Sequence, residues 1–244
     1  HTQTNEVGRC ALFLPAFSLV AHEVAAPIAQ VDVGTSAGLT LLWARYGYDY
    51  RPGPSIGLER EVTLQCDVRG QPPLPRELPA HAPGLGLDLQ PIDISDDDAV
   101  RWLEACVWPD QTDRFERLEG ALRLARSSPP DIRTGDAVDE LVATVEEAAL
   151  RGHPVVTTSW ALSYLSLELQ RQFVGRLDEL GARMDLSWVA AESPEQTAGL
   201  PFHHSPATAH LTALSLATWR NGRRELRTLG TAHPHGYWLH WSAT

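Results

Sequence analysis

The stretch that most constrains this chain is IAQVDVGTSAGLTLLW, residues 28–43. A short strand-like run ending in Asp32-Val33 enters a turn built on Gly34 and Gly38, and a helix-like apolar pattern follows over 39–46. Strand, tight turn and helix form the unit from which parallel α/β sheets are assembled, and the turn falls at the carboxyl edge of its strand, where such sheets bind ligands.

The turn Gly34-Thr35-Ser36-Ala37-Gly38 has two chemical readings. As G-x-S-x-G it is a nucleophile elbow, with Ser36 on a strained turn, His233 or His235 as general base and Asp136 or Glu192 as the orienting acid. No HGGG-type oxyanion segment accompanies it. As a glycine loop it lets a nucleotide approach backbone amides and a helix N-terminus. Asp32 closes that first strand, and Asp88 and Asp136 stand at the ends of the next two.

The remaining pattern extends the same architecture. Residues 5–24 read as an apolar helix that Asn5 can cap, and 48–70 alternate as an inserted β-hairpin with a turn at Gly53-Pro54. Five prolines make 71–83 an extended connector, and 86–94 is a second core strand. The run Asp96-Asp97-Asp98 opens a helix, its carboxylates complementing the dipole, and a second helix follows over 113–125. Strands at 131–135, 154–159 and 184–190 alternate with helices at 138–150 and 165–180. A polar loop after Glu192 runs to Ala207, and Asn221-Gly222 then joins two alternating segments, a strong hairpin signal. The predicted fold is α/β: one domain over 1–244, with an N-terminal helix region at 1–27 and a three-layer, doubly wound, mostly parallel sheet ending in an antiparallel hairpin.

Composition excludes several chemistries. All 20 basic residues are arginine, so no lysine Schiff base or P-loop lysine is available. A net charge of -11 argues against a nucleic-acid partner. Cys10, Cys66 and Cys106 are odd in number and lack C-x-x-C spacing, which fits reduced thiols and a cytoplasmic location. The apolar run 11–21 is too short to span a bilayer, so no membrane association is expected. Because the chain starts at His1, an upstream segment is expected to have been removed.

The acids and glycines resemble class I S-adenosylmethionine-dependent methyltransferases. That resemblance assigns Asp32, Gly34, Ser36 and Gly38 to the first motif, Asp88 to the ribose, and Asp136 with Ala137 to the adenine; Ser36 departs from the usual middle glycine. A wider resemblance rests on TNEVGR (4–9), VGTSAGL (33–39), RYGYDY (45–50), CDVRGQPP (66–73), GLDLQPID (86–93), RWLEACVWPDQ (101–111) and HPHGYWLHW (233–241). These segments are similar to an uncharacterised bacterial family, domain of unknown function 2332. It implies a methyltransferase-like domain preceded by a helical part, and no activity.

Other candidates flank these motifs. Ser159 and Trp160, with Tyr164 nearby, end the fourth predicted strand at the ligand-binding edge. Glu6 and Arg9 occupy neighbouring turns of one helix, as an ion pair or as a lid near the amino-acid part of a cofactor. His233 and His235 either shape a turn or act with Glu192 as proton acceptors. His203 and His204 lack zinc-motif spacing, and no metal is expected. The expected function is methyl transfer from S-adenosylmethionine to a small molecule or protein side chain. The alternatives are a serine hydrolase using Ser36 and a catalytically silent binding module.

Overall fold

Residues 10–23 are apolar on nearly every side, and a helix of that kind is stable only when it is surrounded. The structure, a computed structural model, describes residues 4–205 and 208–243; His1 to Gln3, Pro206 and Ala207 of the polar loop, and Thr244 lie outside the described residues. α1 (Cys10–Glu23) is buried along most of its length. The remaining helices are α2 (Asp97–Ala105), α3 (Thr112–Ser127), α4 (Leu141–Ala149) and α5 (Leu167–Gly181).

The first six strands are β1 (Ile28–Val33), β2 (Gly47–Arg51), β3 (Ser55–Ile56), β4 (Thr63–Arg69), β5 (Leu85–Asp88) and β6 (Ile132–Thr134). The last five are β7 (His153–Ser159), β8 (Leu186–Glu192), β9 (Thr212–Arg220), β10 (Arg223–Ala232) and β11 (Trp238–Trp241). They form one sheet in the order β3-β2-β4-β11-β10-β9-β8-β7-β1-β5-β6. The part from β6 to β8 is wholly parallel. β8 to β11 is an antiparallel meander, and β11, β4 and β2 are parallel again. This is a mixed α/β fold with a large, mostly parallel sheet.

Alternation along β1 divides the core. Ala29, Val31 and Val33 pack on the face that carries α4 and α5. Ile28 joins α1, α2 and α3 on the opposite face. α1 touches both β4 and β8, so the sheet curls around it, and the Tyr50 hydroxyl on β2 donates to the Ala11 carbonyl at 2.9 Å.

Several expectations change, among them the strand expected over 86–94, which ends at Asp88. The segment 39–46 is a 3-10 helix, Leu39–Arg45, rather than an α-helix. The strand-forming Tyr-Gly-Tyr-Asp-Tyr run cuts it short, and the Tyr46 and Tyr48 hydroxyls take up the carbonyls of Leu39 and Trp43 at 2.6 and 2.7 Å. Residues 48–70 are more than a hairpin: β3 pairs antiparallel with β2, and β4 lies parallel to β2 and joins it to the main sheet through β11. Asn5 does not cap the first helix. Glu6 caps the short 3-10 turn Val7–Arg9 ahead of α1, because the Asn5 amide is engaged with the glycine loop.

Among the described residues, no helix is long and apolar enough to cross a membrane.

Candidate functional site

Chain order reverses between β1 and β7: β5 and β6 follow β1 on one side, and β7 and β8 return on the other. Such a switch leaves a crevice at the carboxyl ends of the strands. A crevice of about 640 Å³ lies there. It is lined by Val33, Gly34 and Ser36 after β1, Leu87 and Asp88 from β5, Gly135 to Ala137 after β6, and Ser159 to Leu165 after β7. That volume suits a small-molecule ligand.

The backbone is strained at this place. Among the described residues, the non-glycine positions with left-handed φ are Ser36 (57°), Trp160 (53°) and Asn221 (50°). Asn221 makes the Asn-Gly hairpin turn, where that conformation is ordinary, whereas Ser36 and Trp160 both line the crevice. The Trp160 indole is held by a 2.9 Å hydrogen bond to Thr212 Oγ1. Leu89 and Tyr164 stand exposed at the rim.

The glycine loop is packed from behind. Gly34 has φ +74°, and a Cβ there would lie 2.5 Å from the Cβ of Ala161 on the opposite wall. Gly34 and Thr35 donate their amides to Leu87 O at 2.8 and 3.4 Å, Ser36 N donates to Asp88 Oδ2 at 2.7 Å, and Gly38 N donates to Thr35 O at 2.9 Å. Asn5 completes the loop by donating Nδ2 to Thr35 O and accepting from Leu39 N, both at 2.9 Å.

Arg9 supplies the crevice's cation. Its Nε donates to Pro234 O at 2.8 Å, and its Nη1 donates to the carbonyl and hydroxyl of Ser159 at 2.9 and 3.0 Å. Burial lowers its pKa, opposed by the charges of Glu6 and Glu192. Behind it, Glu6 accepts from Arg114 Nε at 2.6 Å and lies 3.1 Å from His235 Nδ1. Burial alone would raise the Glu6 carboxyl, but the His235 hydrogen bond and the charges of Arg114 and Arg9 hold it at about 2.

A family model described as an uncharacterized protein conserved in bacteria, domain of unknown function 2332, matches residues 1–241. The chain belongs to that family. No curated protein matches the chain, and no solved structure does.

In this member of the domain of unknown function 2332 family, the crevice gathers Gly34, Ser36, Asp88, Asp136, Ala137, Ser159 and Trp160. Asp88 accepts from Ser36 N and, at 2.9 Å, from Gln90 N; Asp136 accepts from Val138 N at 2.7 Å. Asp32 lies beneath them. Its Oδ1 accepts from Thr157 at 2.6 Å and its Oδ2 from Thr40, while Gln30 donates to the same Thr157 hydroxyl at 2.9 Å. Burial raises the Asp32 pKa, and the hydroxyls oppose it. Asp32 thus ties β1 to β7 and to the 3-10 helix, and does not line the crevice. Gly38 packs toward Pro130 and Ile132.

His233 and His235 line neither the crevice nor the cavity described below. The His235 amide donates to His233 Nδ1 at 3.1 Å, so the pair shapes the turn into β11. Glu192 lies at the end of β8, where its Oε1 accepts the amides of Ala161 and Leu162 at 3.2 and 3.3 Å. Burial raises its carboxyl to about 7 against these bonds, the nearby Thr158 hydroxyl and the charge of Arg9. The crevice contacts of Leu89, Ala161 and Leu162 were not among the candidates drawn from the sequence. They are apolar residues just past strand ends, and nothing in their type distinguishes them from core. Among the described residues, no group of three or more His, Cys, Asp or Glu could hold a metal ion.

Proposed function

We propose that the crevice binds a nucleoside-type small molecule with an anionic end, with S-adenosylmethionine as the candidate, and that the protein is a methyltransferase acting on a small molecule or a protein side chain. The observation that carries this reading is Asp88: a carboxylate at the carboxyl end of the strand beside β1, held by Ser36 N and facing a crevice large enough for a nucleoside. The strained Ser36 and Trp160 flanking it support a ligand site, since such backbone is retained where a binding constellation requires it.

The residues fit the two ends of the candidate differently. Asp88 suits a ribose diol, and Asp136 with Ala137 suits a base edge. The loop amides of Gly34, Thr35 and Ser36 are already committed to Leu87 and Asp88, so the loop is not the cradle for a carboxylate. Arg9, fixed against Ser159, is the partner we assign to that end. When bound, the sulfonium group supplies an electrophilic methyl. The chain's own part is to orient the ligand and keep water from one side of it.

The hydrolase alternative draws on the left-handed Ser36 and on its buried hydroxyl, which has no hydrogen-bond partner. Among the described residues no histidine bonds that hydroxyl, and a serine without a base is a weak nucleophile.

Isothermal titration calorimetry with S-adenosylmethionine and S-adenosylhomocysteine tests the proposal. We expect saturable binding that Asp88→Ala weakens about tenfold or more, as for loss of a charge-assisted hydrogen bond. Absence of binding to both ligands, together with fluorophosphonate labelling of Ser36, would favour the hydrolase instead.

A further inference from the structure

A second cavity, of about 400 Å³, lies on the α4/α5 side of the sheet, between β8–β9 and the segment that follows β8. Its floor is cut by small residues in register: Ala190 pairs with Ser215, and Glu192 pairs with Ala213. Phe202 and Leu200 supply apolar wall, and the Phe202 ring lies 5.1 Å from that of Trp188, tilted by 49°.

Two buried oxygens on that floor lack partners. Glu192 is 3% exposed and its Oε2 has no hydrogen bond, although its Oε1 is fully engaged with Ala161 and Leu162. Ser215 is 1% exposed and its Oγ is likewise unpartnered. Buried polar atoms in folded proteins are almost always satisfied, so two such oxygens beside one cavity point to a ligand that donates to both. Among the described residues no arginine lines the cavity, burial holds His204 toward its neutral form, and Glu192 is the acidic side chain on its wall.

We propose that this cavity is a binding site for a small primary or secondary amine, whose ammonium donates to Glu192 Oε2 and Ser215 Oγ while its apolar body lies against Phe202. The amine site does not depend on the nucleoside-type reading. Glu192 holds amides of the crevice wall through its other oxygen, so the two chambers share this carboxylate as a partition.

The test uses benzylamine, benzyl alcohol and benzoate as probes of one size and three charges, titrated at pH 8 with no nucleoside present and followed by saturation-transfer difference NMR. We expect benzylamine to bind about tenfold or more tightly than benzyl alcohol, and benzoate not to compete with it. Glu192→Gln should weaken benzylamine binding about tenfold, and Ser215→Leu, which fills the cavity, should abolish it. Equal binding of the three probes, no benzylamine binding at millimolar concentration, or unchanged binding in Ser215→Leu would each overturn the proposal. Because no nucleoside is present, failure here leaves the crevice reading standing, and failure of S-adenosylhomocysteine to bind leaves this one standing.

Discussion

Taking Glu192 out of water holds its carboxyl at about 7 in the fold, against 4.5 for the ordinary side chain. A folded-state pKa raised above the unfolded one means that the native state binds the proton more tightly. Glu192 therefore costs the fold nothing below pH 4.5 and progressively more as pH rises through 7, to about 3 kcal/mol. We expect Glu192→Gln to gain stability over the wild type between pH 5 and pH 8 in urea denaturation; a gap that does not change with pH would contradict the burial argument. Glu6 has the opposite sign. Its carboxyl is depressed to about 2, so its stabilisation is present above pH 4.5 and is lost as pH falls through 2. Removing it leaves Arg114 buried without its charge partner, and Glu6→Gln should cost about 3 kcal/mol at pH 7. That deficit should shrink as the wild type is acidified toward pH 2, which denaturation series at several pH values would detect.

At the scale of elements, the glycine loop is clamped between β5 and the turn after β7. Gly34→Ala must place a methyl group 2.5 Å from Ala161 Cβ with a left-handed φ. We expect a loss of about 1–3 kcal/mol in thermal denaturation, together with weaker ligand binding as the crevice wall shifts. A fully stable Gly34→Ala with unchanged affinity would show that the loop does not set the crevice. The strand and turn around Asp32 to Gly38 were legible because apolar periodicity and glycines mark them locally. The 3-10 helix was not legible, since Leu39 to Arg45 has a helical pattern and only the tyrosines beyond it, bonding back to its carbonyls, decide the geometry. The role of Asp32 was hidden for a similar reason: Thr157, which engages its carboxylate, lies far along the chain, and sequence spacing cannot distinguish a ligand-facing acid from one clamped by hydroxyls.

Across the whole molecule, the alternation of strands and helices was enough to anticipate a mixed α/β fold with a large, mostly parallel sheet, whereas the strand order was not. β4 reaches the sheet by pairing with β11 at the other end of the chain, a long-range contact between two short amphipathic strands that no local pattern announces. The same curl buries α1 and brings Arg9, just before it, to the crevice. The second cavity was equally invisible, because Ser215 reads as one polar residue in an apolar strand until Ala190 and Glu192 are known to lie across from it. The central claim is that ligand binds where β1 and β7 part. Hydrogen–deuterium exchange mass spectrometry, with and without S-adenosylhomocysteine, tests that most directly. We expect protection confined to peptides covering residues 4–9, 33–38, 86–90, 135–137 and 159–165. Protection elsewhere, or none in these segments at saturating ligand, would contradict the placement of the site.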